Sequence, residues 1–358
     1  MKIYFVGGQY QGCWYVRCML PMIENGWKGN YTGLDGLIKP VELVGAEMRD
    51  ADIIVFHRAN SNWHHRVAME LKKMGKIVVF DNDDTYQLDE YHPFFNLDEK
   101  GFVENKERIN NVINNFIINA DLVTCSTEYL AKEYRELNPN VVVLPNCVNP
   151  DDWDTPLRNE GEKVRIGIVG STAYHHDFER IKDVISKLDE DPRVQLVLMG
   201  LKKQTSDNPM LAGTYAKEYE FWENLKNLEH VEWIPMEEYF DTLNELRLDM
   251  MLIPRRENHF NKAKSNVKFL EAAMLEIPVI AQSFEDGPYQ EIEHDITGML
   301  ITDDGQWVQC IEKMMQKAVR DRIGKAAKEY VLKNYNIKDK AYLWKEAYKQ
   351  TYEKYTNN

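Results

Sequence analysis

Three stretches of the chain concentrate side chains able to hold or move charge. The first is Asn261 to Pro278, NKAKSNVKFLEAAMLEIP. Lys264 and Ser265 stand where the spacing predicts a helix to begin, Lys268 follows Lys264 one turn on, and Glu271 falls near the same face. Two ammonium groups and a helix N-terminus meeting at one spot would hold a diphosphate and stabilise its charge as it leaves. Glu271 could accept hydrogen bonds from a ribose diol. A solvated Lys/Glu face is the plain alternative. The apolar turn AAML and the apolar strand after it favour a half-buried helix. The second stretch is Gly170 to Asp177, GSTAYHHD. Gly170 lets backbone approach a ligand, and Ser171 and Thr172 offer hydroxyls and N–H groups. The stretch lacks the full GxGxxG or Walker spacing, so a tight turn with Asp177 capping the next helix is the alternative, with His175 and His176 as loop residues. The third is Asp81 to Asp84, DNDD. Carboxylates clustered at a strand end can bind a divalent cation, act as a base or hold hydroxyl groups; turn formation is the alternative. Asp81 and Asp83 are the candidate catalytic carboxylates, with Lys264 as the catalytic cation. Asp84, His57 and the Gly8-Gln9 turn would share the same mouth. Arg255-Arg256 and Lys202-Lys203 add basic groups at two further strand ends. Their convergence in an acidic chain would focus positive potential on an anion.

These residues follow short apolar runs: Lys2–Val6, Ile53–Phe56, Ile77–Phe80, Leu122–Cys125 and Val141–Leu144, then Val164–Val169, Gln195–Met199, Val231–Ile234, Met250–Ile253 and Val279–Ala281. Helical spacing separates most of them. Such alternation predicts α/β architecture with parallel sheets covered on both faces. Two Rossmann-like domains are expected: 1–147, then a polar linker at 148–163, then 164–335. The tail, 336–358, reads as a helix with Tyr342, Leu343, Ala347, Tyr348, Tyr352 and Tyr355 on one aromatic face, needing a surface to lie on. Ligands of doubly wound sheets bind beyond the carboxyl ends of the strands, so two such domains would share one cleft.

The chain has 358 residues and a net charge of −14, which fits two domains and disfavours long nucleic-acid contacts. Five cysteines, Cys13, Cys18, Cys125, Cys147 and Cys310, show no zinc spacing and read as reduced thiols. No apolar run approaches about 20 residues, and MKIYFVGG reads as a strand rather than a leader. A cytoplasmic location is expected, with peripheral membrane association left open.

The C-terminal half resembles GT-B glycosyltransferases, in particular the retaining family-four kind, over most of residues 120–335. The resemblance rests on KSNVKFLEAAMLEIPVIA followed by GPYQEIEHDITGMLI. ADLVTCSTEYLAKEY and VVVLPNCVNPDDW are similar to the end of that family's first domain, and the last helix to its crossing helix. The resemblance implies a UDP- or GDP-sugar as co-substrate, with no obligatory cofactor and no divalent metal. It implies an acceptor held by the N-terminal domain: a glycan, a lipid-linked sugar or, less expected, a modified DNA base. Retaining members react on one face of the sugar, the departing diphosphate helping to take the acceptor proton. By motif, Gly170 to Thr172 match the glycine loop near the diphosphate, and Lys264 to Asn266 match a stretch whose N–H groups meet phosphates. Glu271 matches the second of two glutamates eight positions apart. Ala263 replaces the first. The usual Arg and Lys after the glycine loop are missing, leaving Lys203, Arg255, Lys264 and Lys268 as donor cations. DNDD stands where a catalytic histidine is usual. Alternatives are a sugar-nucleotide epimerase, a metal-dependent transferase using DNDD, a transferase acting on DNA bases, and an inactive binding scaffold.

Overall fold

The computed structural model describes residues 1–7, 11–31, 41–87, 99–170, 175–201 and 219–357. Runs that are apolar on both faces become strands buried on both faces. Six make one sheet: β1 (Ile3–Gly7), β2 (Lys28–Tyr31), β3 (Ile53–His57), β4 (Ile77–Asn82), β5 (Leu122–Cys125) and β6 (Val141–Val143). Six more make a second: β7 (Val164–Val169), β8 (Val194–Met199), β9 (Leu228–Val231), β10 (Met250–Ile253), β11 (Val279–Gln282) and β12 (Met299–Ile301). Among the described residues every strand pair is parallel. The orders are β2-β1-β3-β4-β5-β6 and β12-β11-β10-β7-β8-β9. Each reverses once, between β1 and β3 in the first sheet and between β7 and β10 in the second. Those reversals open crevices beyond the strand ends. The strand ends there carry Gly7 and Arg58 in one sheet, Gly170 and Arg255 in the other. The two sheets with their flanking helices form a GT-B arrangement of Rossmann-like units.

Several sequence expectations shift. β4 runs on through Asp81 and Asn82, so half of DNDD is strand rather than loop. The run expected at Val231–Ile234 pairs instead as Leu228–Val231 against Leu196–Met199, which leaves Trp233 and Ile234 beyond the strand end. Thr127 caps the Glu128–Arg135 helix, accepting from the Leu130 N–H. Asp177 lies inside the His175–Glu179 helix rather than capping it.

The chain crosses back at its end. The Val148 N–H donates to the Tyr335 carbonyl and the Ile337 N–H to the Val148 carbonyl, both at 2.9 Å. The Tyr342–Thr356 helix then buries Trp344, Ala347, Tyr348 and Thr351, one stripe at helical spacing. Trp344 and Tyr348 pack with Phe5, Trp14 and Val55 under the first sheet. Tyr342 stays 54% exposed and Tyr355 48%, so the buried stripe is narrower than the expected aromatic face and includes Trp344. The Lys317–Tyr335 helix sits against the turn after the Val267–Met274 helix. There Glu276 adopts a left-handed φ of 54°, and a Cβ on Gly324 would collide with its carbonyl. Gly324→Ala is therefore expected to cost about 1–3 kcal/mol, as overpacking does. Urea unfolding checks it, and an unchanged midpoint would show that the two elements separate freely.

Candidate active site

A cavity of about 390 Å³ lies where the two sets of strand ends face each other. That is enough for a small-molecule ligand. The first half contributes Arg58, Asp83 and Asp84; the second contributes Gly170, Arg255, Lys264, Ser265, Lys268 and Glu271. These lining residues include four cations (Arg58, Arg255, Lys264, Lys268) against three carboxylates (Asp83, Asp84, Glu271), a balance of plus one in a chain of −14. Gly8, Gln9, Ser171, Thr172 and Lys203 lie outside the described residues.

The second sheet sets the order of groups along the cavity. Crossing it from β10 through β7 and β8 to β9, the strand ends present Arg255, Gly170, Gly200 and Trp233. Three strand spacings span about 14 Å. One end is therefore basic and the other aromatic. Gly200 has φ +96°, and a Cβ there would sit 2.8 Å from the Gly170 carbonyl oxygen, so neighbouring strand ends form a floor without side chains. Arg255 is nearly buried and fixed: its Nη1 donates to Asp177 Oδ2 at 3.2 Å, while the Arg256 N–H and Asn261 Nδ2 donate to Asp177 Oδ1. Burial pushes the Asp177 carboxyl upward, with Arg255 and its other donors opposing.

Lys268, Tyr239 and Glu271 form a second group on the same wall. Lys268 Nζ donates to Tyr239 Oη at 2.8 Å and to Glu271 Oε2 at 2.9 Å, and Tyr239 Oη donates to Glu271 Oε2 at 2.8 Å. Burial works against the Lys268 charge, but Glu271 and Tyr239 more than offset it and hold the pKa above the usual lysine value. Glu271 is thus a fixed anionic acceptor toward the aromatic end. Sequence reading did not find Tyr239 or Trp233. Tyr239 lies on the Met236–Glu245 helix, 32 residues before Glu271.

The first half builds a buried polar knot beneath the cavity. Arg17 is 0% exposed, Asp81 1% and His57 3%. Arg17 Nη2 donates to Asp81 Oδ2 at 2.6 Å and Nε to Oδ1 at 3.2 Å. Thr124 Oγ1 donates to Oδ2 at 2.6 Å, and His57 Nδ1 lies 2.9 Å from Oδ1. Burial alone would raise the Asp81 pKa, but Arg17 and His57 outweigh it and lower it to about 2. Asp81, expected as a catalytic carboxylate, has both oxygens engaged and does not reach the cavity; neither does His57. Arg17 also donates through Nη1 to the Leu144 carbonyl and to Asn146 Oδ1. Asn146 Nδ2 in turn donates to Ser265 Oγ at 2.8 Å, linking the knot to the start of the Val267–Met274 helix. The sequence signal for Arg17 was a single cation inside an apolar helical run.

Above the knot, Arg58 holds a left-handed φ of 49°, an uncommon state for a side chain of its size. Its Nε donates to Asp83 Oδ1 at 2.6 Å and its Nη2 to Asp84 Oδ2 at 3.0 Å. Burial would raise Asp83, but Arg58, with His57 and Arg17, holds it well below the usual carboxylate range. Lys264 reaches across from the other half, its Nζ 2.9 and 2.7 Å from the two oxygens of Asp84. Among the described residues no group of three or more His, Cys, Asp or Glu side chains is arranged to hold a metal ion.

Residues 179–345 match a family model described as glycosyl transferase-like. No curated protein matches the chain. HepE from Anabaena, solved with UDP and glucose, is similar over 98% of this chain and 100% of its own, at 11% identity and a TM-score of 0.68. Sucrose-phosphate synthase from Thermosynechococcus elongatus is similar over 98% and 99% at 14% identity, also with a TM-score of 0.68. An alpha-glucosyltransferase solved with UDP and a 13-mer DNA containing an HMU base is similar over 98% and 99% at 15% identity and a TM-score of 0.65. These likenesses show the GT-B fold, and the family-model match lies within the second half. No helix among the described residues is long and apolar enough to cross a membrane.

Proposed function

We propose that this glycosyl transferase-like chain moves a sugar from a UDP-sugar to a hydroxyl of a carbohydrate acceptor. The order of groups along the second sheet carries the reading. Cations and the glycine floor suit a diphosphate at the β7–β10 reversal, Glu271 suits a ribose diol, and Trp233 with Met199 and Ile234 suits a base. HepE, of the same fold, has been solved with UDP-glucose, which supports UDP as the nucleotide.

The chemistry needs few groups. An acceptor oxygen forms a bond to the anomeric carbon as the bond from that carbon to the diphosphate oxygen breaks. Negative charge then grows on the diphosphate, beside Lys264, Arg255 and the start of the Val267–Met274 helix. The acceptor approaches from the Asp83–Asp84 side, on the same face as the departing phosphate. A phosphate oxygen takes the acceptor proton, and the sugar keeps its configuration. Asp81 and His57 serve as positioning residues that fix the ends of β3 and β4. Residues 1–147 would carry the acceptor and 164–335 the donor, with 148–163 as the hinge and 336–358 as the closing segment. Closure about the hinge would exclude water and limit hydrolysis. Among the described residues the cavity lining carries one surplus positive charge, which favours a carbohydrate acceptor over a DNA base.

Calorimetry with UDP, GDP, ADP and CMP and their sugars tests the reading. UDP and one UDP-sugar are expected to bind, and Glu271→Ala to weaken both by about ten- to a hundredfold, the worth of hydrogen bonds to a charged group. Trp233→Ala should weaken UDP by about five- to a hundredfold through lost stacking. If no nucleotide binds the wild type, the donor assignment is lost and a binding scaffold becomes the better reading.

A further inference from the structure

We propose that Asp84 is an internal anion that holds the phosphate-binding lysine of the cleft, and that the donor must displace it, which hands Asp84 to the acceptor. The inference rests on the nucleotide-sugar reading above and adds an order of events to it. Asp84 comes from the first half, just past β4; Lys264 comes from the second, before the Val267–Met274 helix. Both oxygens of Asp84 sit on the Lys264 ammonium, at 2.9 and 2.7 Å, and Arg58 Nη2 lies 3.0 Å from the same carboxylate. A carboxylate held this way occupies the cation that a phosphate would use.

The pair is built to open. The Lys264 and Asp84 side chains are 14% and 18% exposed, so parting them does not strand a dry charge as it would for Arg17 and Asp81. A diphosphate carries more charge than a carboxylate and competes for Lys264. When Lys264 turns to it, Asp84 keeps Arg58 and its released oxygens can accept from a hydroxyl. Other bonds across the cleft do not use Asp84: His259 Nε2 with Glu133 Oε1 at 2.9 Å, and Asn146 Nδ2 with Ser265 Oγ at 2.8 Å. The halves therefore stay in register while this one contact exchanges. Donor binds first, and the acceptor site is completed by that event.

Titration of UDP, with GDP and ADP as further probes, into four forms of the full chain tests the exchange: wild type, Asp84→Asn, Lys264→Ala and the double variant. Asp84→Asn is expected to tighten UDP binding about tenfold, within the usual range of coupling between sites. In the Lys264→Ala background the same change should do nothing. Asp84→Ser carries the same expectation and replaces the Asn form if that form does not fold, as judged by thermal melting. Unchanged or weaker UDP binding in Asp84→Asn overturns the exchange and leaves the donor assignment standing. Equal tightening with and without Lys264 overturns it too, because the competition would then not be for that cation. Absence of any nucleotide binding by the wild type removes the donor reading and this inference together.

Discussion

Arg17→Met will destabilise the fold by about 3–5 kcal/mol, the cost of leaving a buried charge without its partner. Arg17 and Asp81 are both essentially without solvent access, so water cannot replace the lost contact. The loss spreads because Asp81 also accepts from Thr124 and contacts His57, and Arg17 also holds the Leu144 carbonyl and Asn146. The ends of β3, β4, β5 and β6 all meet at this knot. Urea unfolding at pH 7 checks the size of the effect, and a midpoint equal to the wild type's would mean that the knot holds nothing together. Acidity gives a second reading of the same pair. The Asp81 pKa is lowered from 3.8 to about 2, against its burial, by Arg17 and His57. A depressed carboxylate stabilises the fold fully above its unfolded value, and that share is lost as pH falls through the folded value. The wild type should therefore lose this stability between about pH 4 and pH 2. In Arg17→Met, burial acts on Asp81 with less opposition, so its pKa rises and this acid-side loss shrinks. Paired denaturation series across that window separate the electrostatic share from simple loss of packing.

The parallel sheets were legible because their strands are apolar on both faces. VRIGIV and MMLI formed strands at the expected limits, Val164–Val169 and Met250–Ile253. β2, KGNY, escaped notice because an edge strand has a partner on one side only and tolerates polar residues. β9 slipped toward Trp233 because hydrophobicity cannot tell a strand from the aromatic lip of a cavity. One wall of the cavity was readable for a local reason: Lys264, Ser265, Lys268 and Glu271 fall in one short segment, just before and within the Val267–Met274 helix. The opposite wall was not. DNDD marked a strand end, but nothing local told Asp81, pointing into the knot, from Asp83 and Asp84, which reach the cavity. That difference is set by Arg17, 64 residues away, through long-range packing. Arg58 directly follows His57 in the chain, and its bridging of Asp83 and Asp84 depends on a left-handed backbone that sequence does not announce.

Lys264→Ala should lower turnover with a UDP-sugar by about 10²–10³-fold, the usual effect of removing one group aimed at charge that develops in the transition state. The expected size follows from position. Lys264 lines the cavity directly before the Val267–Met274 helix, whose N-terminus adds its own partial positive charge to the same spot. Charge grows on the diphosphate only as the sugar departs, so a cation there stabilises the transition state more than the bound donor. The drop should therefore fall mainly on kcat, with a smaller change in KM. Lys264→Arg keeps the charge and should recover part of the loss. Stability should hardly move, because the cost of losing an ion pair at a part-exposed site is small. A melting temperature within a few degrees of the wild type's makes the kinetic comparison clean. Glu271→Ala should show the opposite split, raising KM more than it lowers kcat, because the ribose contact is made equally before and during the reaction. Wild-type turnover in Lys264→Ala would remove this lysine from the chemistry and leave Arg255 and the helix N-terminus as the groups that carry the leaving charge.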